Sequence, residues 1–221
     1  MLYANGKVYL VSVGIADYPG TKNDLRISDN DAKTIAKVFQ ATKDADVHIL
    51  TNEDATQSAL LSTMHTVFED AERDDAVILY FSGHGAPGAL ACHDGLLTYQ
   101  HIFKMMKGCK ASRKMIIVDA CFSGKMRTTK QESSNYNNQS VMLFLSSRTT
   151  ETSLETDYKN SLFTIFLERG LRGGADMNKD RHITAREIYN FVHQGVIKAS
   201  GNKQHPVMWG KFDNNMTIIK W

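Results

Sequence analysis

The sequence predicts an α/β fold with a mostly parallel central sheet and helices on both faces. Short apolar runs, rich in β-branched and aromatic residues, recur at 8–15, 77–82, 115–118 and 141–146, with a weaker fifth at 47–50. None alternates strictly between apolar and polar, the pattern of strands buried on both faces. The stretches between them carry helical periodicity, and strands alternating with helices build a parallel sheet covered on both sides.

Along the chain, VYLVSVGI at 8–15 predicts the first core strand. DNDAKTIAKVFQ at 29–40 sets Ala32, Ile35, Ala36 and Phe39 on one helical face. VHIL at 47–50 is the weaker strand, and 56–71 is a helix with Leu60, Met64, Val67 and Phe68 on its inner face. VILYFS at 77–82 is a strand, 99–106 a shorter helix, and MIIV at 115–118 a strand. KMRTTKQESSNYNNQS at 125–140 breaks the pattern: a long polar loop between core strands is functional or flexible. VMLFLS at 141–146 is the next strand, and helices are expected at 161–171 and 184–197. Without repeats or low-complexity linkers, 1–221 is expected to form a single domain.

A hydrophobic fraction of 42% with 23% charged residues suits a globular protein with a buried core. The net charge of +2 gives no argument for a nucleic-acid or membrane partner, both of which favour a basic face. Cys92, Cys109 and Cys121 form an odd, sparse set without a CxxC pair, a poor disulfide or zinc framework. Reduced thiols fit a cytoplasmic location. The N-terminus lacks the basic region and cleavage site of a signal peptide, and no apolar stretch approaches the roughly 20 residues of a membrane span.

Ligands of open α/β sheets bind beyond the carboxyl ends of the strands. After VILYF stands Ser82-Gly83-His84-Gly85; after MIIV stands Asp119-Ala120-Cys121-Phe122-Ser123-Gly124. Parallel neighbouring strands would present His84 and Cys121 at one edge, the arrangement of a Cys–His nucleophile pair. A free thiol is mostly protonated at neutral pH, and a nearby imidazole takes that proton and returns one to the leaving amine. Gly83, Gly85 and Gly124 lack a Cβ and leave backbone N–H groups open to a developing oxyanion, each donor worth roughly 3 kcal/mol in the transition state. Taken alone, SGHG is also the mark of a tight turn and a lone cysteine the mark of core filler; their joint placement favours catalysis. Cys92 and Cys109 lack that context.

YFSGHG followed by DACFSG resembles the caspase/metacaspase family of cysteine peptidases. Asp119 stands where caspases carry glutamine, so the pairing is nearer to metacaspases and their bacterial relatives. The first strand, Asn30-Asp31-Ala32 at the first helix, and the closing HPVMWG segment occur in family order. The resemblance implies a caspase-like three-layer sandwich. It also implies a peptidase acting on protein or peptide substrates, with His84 as base, Cys121 as nucleophile, and an oxyanion held by the N–H groups of Cys121 and Gly85. In metacaspases an acidic pocket binds Arg or Lys before the scissile bond, and the matching residues are Asp31, Ser82 and Asp119. Asp31 has a second reading, a helix N-terminal acid that complements the dipole. Arg148 is the one basic residue that would make the pocket mixed. Self-cleavage, which relatives often undergo in this region, is expected after Lys125, Arg127 or Lys130. Two alternatives stay open: a catalytically silent caspase-like interaction module, and a peptidase that prefers acidic residues.

The chemistry requires no cofactor. Residues 176–187, DMNKDRHITARE, carry the EF-hand spacing at Asp176, Asn178, Asp180, His182, Thr184 and Glu187, which keeps calcium open as an alternative. Arg181 occupies the site that wants glycine, and no well-capped helix is evident upstream. The preferred reading is a polar turn in which Thr184 and Glu187 form a capping box, with no metal. Many metacaspases bind calcium at an acidic cluster after the histidine; here 86–97 offers only Asp94.

Overall fold

The computed structural model describes residues 6–120, 141–148 and 159–221. Cys121, the loop 125–140 and the cleavage candidates Lys125, Arg127 and Lys130 lie outside the described residues. In chain order the elements are β1 (Val8–Gly14), α1 (Ser28–Gln40), β2 (Ala45–Thr51), α2 (Gln57–Glu69), β3 (Ala76–Gly83), β4 (Gly85–Ala86), β5 (Ala89–Cys92) and β6 (Gly95–Thr98). There follow α3 (Tyr99–Gly108), β7 (Arg113–Ala120), β8 (Met142–Leu145), α4 (Leu162–Arg169), β9 (His182–Thr184), α5 (Ala185–Ala199), β10 (Val207–Trp209) and β11 (Thr217–Lys220).

The main sheet runs β10-β8-β7-β3-β1-β2, parallel except for β10 at one edge. Strand alternation divides its side chains between two cores. Val11, Val13, Leu79, Phe81, Ile116 and Val118 point to the face that α2 and α3 cover. Leu10, Ile78, Tyr80, Met115, Ile117 and Phe144 point to the face packed by α1, α4 and α5. Phe144 meets Phe163 of α4 edge-on, with ring centroids 5.1 Å apart. Because both faces are covered, polar alternation is absent from β1, β3, β7 and β8. β2 lies at the free edge and is half-buried or exposed throughout, hence its weak apolar signal.

Two details place α1. Gly14 ends β1, and a Cβ there would stand 2.2 Å from the Ser28 carbonyl oxygen and 2.7 Å from the Ala32 Cβ. The missing side chain lets the first turn of α1 press on the strand. The Ser12 hydroxyl then donates to the Ala32 carbonyl at 2.9 Å. Asp31 is thereby brought to the carboxyl edge of the sheet with no exposure.

The structure corrects several sequence boundaries. The helix expected over 161–171 is α4 alone; Gly170–Gly174 widens into a π-type turn in which Gly173 takes φ 106°. Residues 85–98, to which the sequence reading gives no element, form the antiparallel sheet β4-β5-β6. Its strands are too short for a periodic signal, though Asp94-Gly95 is a hairpin dipeptide. The β9–β11 pair was also unread. No helix among the described residues is long and apolar enough to cross a membrane.

Candidate active site

In the β3–β7 pair, Ser82 stands opposite Asp119 and Gly83 opposite Ala120. Ser82 shares its parity with Ile78 and Tyr80, and Asp119 with Met115 and Ile117, so both belong to the α1, α4 and α5 face. That is where Asp31 sits, and the three candidate pocket residues come together. The Ser82 hydroxyl donates to Asp31 Oδ2 at 2.9 Å. Asp31 Oδ1 accepts from Asn160 Nδ2 at 2.9 Å and from the Ser161 N–H at 3.0 Å. Asp31 thus does more than complement the dipole of α1.

Asp119, only 3% exposed, is held from the same segment. Its Oδ2 accepts a short hydrogen bond from Ser161 Oγ and one of 3.2 Å from Thr164 Oγ1. Ser161 therefore grips both carboxylates, Asp31 with its backbone and Asp119 with its hydroxyl. It is also the N-cap of α4, its hydroxyl accepting the Thr164 N–H at 3.1 Å. Tyr80 Oη lies 2.6 Å from Thr164 Oγ1. Since Thr164 spends its one proton on Asp119, the phenol donates to it.

Two buried carboxylates this close cannot both ionise at their usual pKa. Burial first, and then the charge of Asp119, raise the Asp31 carboxyl from 3.8 to about 7, against hydrogen bonds from Asn160, Ser161 and Ser82. Among the described residues no cation pairs with Asp31. Arg148 follows β8, is exposed, and acts electrostatically on Tyr189.

His84 follows β3 directly and is half-buried. Its Nε2 lies 2.8 Å from the carbonyl oxygen of Asn23, in a short 3-10 turn at Thr21–Asn23. A carbonyl only accepts, so Nε2 carries the proton, and in the neutral ring Nδ1 is the basic nitrogen. Gly85 opens β4, opposite Leu90. Cys121 comes next in sequence after Ala120 and lies outside the described residues. Cys92 is buried and its thiol is pushed up to about 12, chiefly by burial, which suits a structural role.

Asn160, Ser161, Thr164, Tyr80 and Asn23 escaped sequence reasoning. Asn160 and Ser161 lie 129 and 130 positions from Asp31, and no local pattern links them. One signal was present: Ser161 precedes an apolar helical stretch, as an N-cap does.

Before 176–187 stand the eight-residue α4 and its π-type extension. The capping box is present, with Thr184 Oγ1 accepting the Glu187 N–H and Glu187 Oε2 accepting the Thr184 N–H at 3.0 Å. Asp176 and Asn178 accept backbone N–H groups within the loop. Arg181, where an EF-hand wants glycine, takes φ 65°. No three His, Cys, Asp or Glu side chains among the described residues converge as a metal cluster.

The fold is thus a three-layer α/β sandwich with a histidine and an acidic pair toward the carboxyl edge of its parallel strands. The comparisons narrow it. A family model described as the caspase domain matches residues 8–216, and the chain belongs to that family, one of cysteine peptidases. A protein from Geobacter sulfurreducens has a similar crystal structure, with TM-score 0.69 and 16% identity over 94% of this chain and 95% of that one. Caspase-1 from Spodoptera frugiperda is similar with TM-score 0.73 and 15% identity, over 97% and 90% of the two chains. At these identities the two likenesses show the fold alone. A search of curated proteins returned no match.

Proposed function

We propose that this chain is a cysteine endopeptidase that hydrolyses peptide bonds on the carboxyl side of Arg or Lys. The observation that carries the reading is the buried carboxylate pair, Asp31 of α1 and Asp119 near the end of β7, with Asp31 bonded to Ser82 two residues before His84. Asp31, held by the neutral donors Ser82, Asn160 and Ser161 and raised to about 7 beside Asp119, is a carboxyl that a cation would complete. A guanidinium or ammonium entering it would restore the ionised form of Asp31 and gain charge-assisted hydrogen bonds.

The reaction follows from the groups assigned. Nδ1 of His84 takes the proton of the Cys121 thiol, and the thiolate attacks the carbonyl carbon after the basic residue. The N–H groups of Gly85 and Cys121 hold the oxyanion. As the C–N bond breaks, His84 gives the proton to the leaving amine, and an acyl-enzyme remains. Water, deprotonated by His84, then hydrolyses the thioester. The same specificity would cut the chain itself after Lys125, Arg127 or Lys130.

Fluorogenic peptides ending in Arg, Lys and Asp, offered to wild type and Cys121→Ala with calcium or with chelator, test this. Release from Arg and Lys by wild type alone is expected. Turnover of Asp-ended peptides would move the specificity, and no turnover under any condition would favour an interaction module. Intact masses of the two proteins test self-processing: identical masses rule it out.

A further inference from the structure

The peptide and the ring of His84 are both held from residues 15–27, the segment between β1 and α1. Tyr18 in that segment is 6% exposed. Its Oη accepts the His84 N–H at 2.9 Å and donates to the Ala91 carbonyl of β5 at 3.2 Å. The Ala91 N–H in turn donates to the His84 carbonyl at 3.0 Å. These three bonds close a ring in which both backbone polar groups of His84 are engaged. The phenol ring also lies against the imidazole, with centroids 4.9 Å apart and planes inclined by 44°. The segment is anchored in its own right: the Tyr18 N–H donates to Asp24 at 3.1 Å, the Leu25 N–H to Ala16 at 2.8 Å, and the Ala16 N–H to Asn52 at 2.9 Å.

We propose that Tyr18 is a positioning residue for His84, its hydroxyl fixing the His84 peptide and its ring limiting imidazole rotation, so that Nε2 stays on the Asn23 carbonyl and Nδ1 stays basic. The proposal rests on His84 being the base. It also accounts for Gly83, where a Cβ would come within 2.7 Å of Tyr18 Oη and 3.1 Å of the Phe81 ring. Burial keeps the phenol protonated, as a donor to Ala91 must be, by raising it to about 12.

The test compares wild type, Tyr18→Phe and Tyr99→Phe. Tyr99 is the control, since its buried Oη has no hydrogen-bond partner among the described residues. Kinetics on an Arg-ended peptide are read beside ¹⁵N spectra of the imidazole nitrogens, with His84 assigned through His84→Gln. Tyr18→Phe is expected to lower kcat about 10- to 100-fold with KM within roughly threefold, the pattern of a misaimed base. The His84 ring signals should move toward a mixture of tautomers, while Tyr99→Phe changes neither readout. Wild-type kcat together with unmoved His84 signals in Tyr18→Phe would overturn the proposal. If wild type turns over no peptide, the peptidase reading fails, and the His84 signals alone decide the positioning role: movement supports it and stillness refutes it.

Discussion

Replacing Asp31 by Asn removes a charge from a place that water does not reach, while Oδ1 can still accept from Asn160 and Ser161. The folded chain raises this carboxyl from 3.8 to about 7. A rise of about three units, at roughly 1.4 kcal/mol each, bounds the cost of the ionised form at about 4 kcal/mol. The sign follows from linkage. Below 3.8 the carboxyl is protonated in both folded and unfolded chains and the cost is absent. It grows as the pH rises from 3.8 to about 7, where the folded group finally ionises, and is full above that. Asp31→Asn is therefore expected to be more stable than wild type at pH 8, by up to about 4 kcal/mol, with the gap closing near pH 4. In a chain of this length each kcal/mol moves Tm by about 2–4 °C. Melting curves across that pH range, both proteins carrying Cys121→Ala to prevent self-cleavage, measure the gap. A variant less stable than wild type at pH 8, or a gap that does not depend on pH, would refute the electrostatic account. The same substitution should abolish turnover of Arg-ended peptides, so that stability gained is function lost.

Three further outcomes are expected. KM for an Arg-ended peptide should fall as the pH rises through about 7, because the proton on Asp31 opposes the guanidinium; a flat KM counts against Asp31 as a substrate contact. Gly14→Ala places a Cβ 2.2 Å from the Ser28 carbonyl oxygen, which must be relieved by moving α1 off β1. It should cost about 1–3 kcal/mol in denaturant titrations and weaken Arg-peptide binding through the displaced Asp31. Thr184→Ala removes the capping box of α5 and should cost about 1 kcal/mol without changing KM; a large loss of activity would tie the 176–187 turn to the site.

The central sheet was legible because burial on both faces leaves a direct mark on a strand: β1, β3, β7 and β8 are dominated by consecutive apolar residues, with polar ones confined to Ser12 and to the strand ends at Ser82, Arg113, Lys114 and Asp119. β2 was faint because its edge position relaxes that demand. The β4-β5-β6 sheet was missed because strands of two to four residues carry no period, and local turn chemistry was the sole trace.

Local sequence alone placed His84 and Asp119, since each follows or ends an apolar run at the sheet edge where ligands bind. It also brought Ser82 and Asp31 forward through a family resemblance. Tertiary structure decided what holds these groups. Asn160 and Ser161 reach Asp31 across 129 and 130 positions, and Tyr18 reaches His84 across 66. A hydrogen bond depends on separation in space, and a sequence records separation along the chain. The charge of Asp31 was settled the same way. A carboxyl in a sequence is an anion at neutral pH, and only its burial beside Asp119 raises it to about 7.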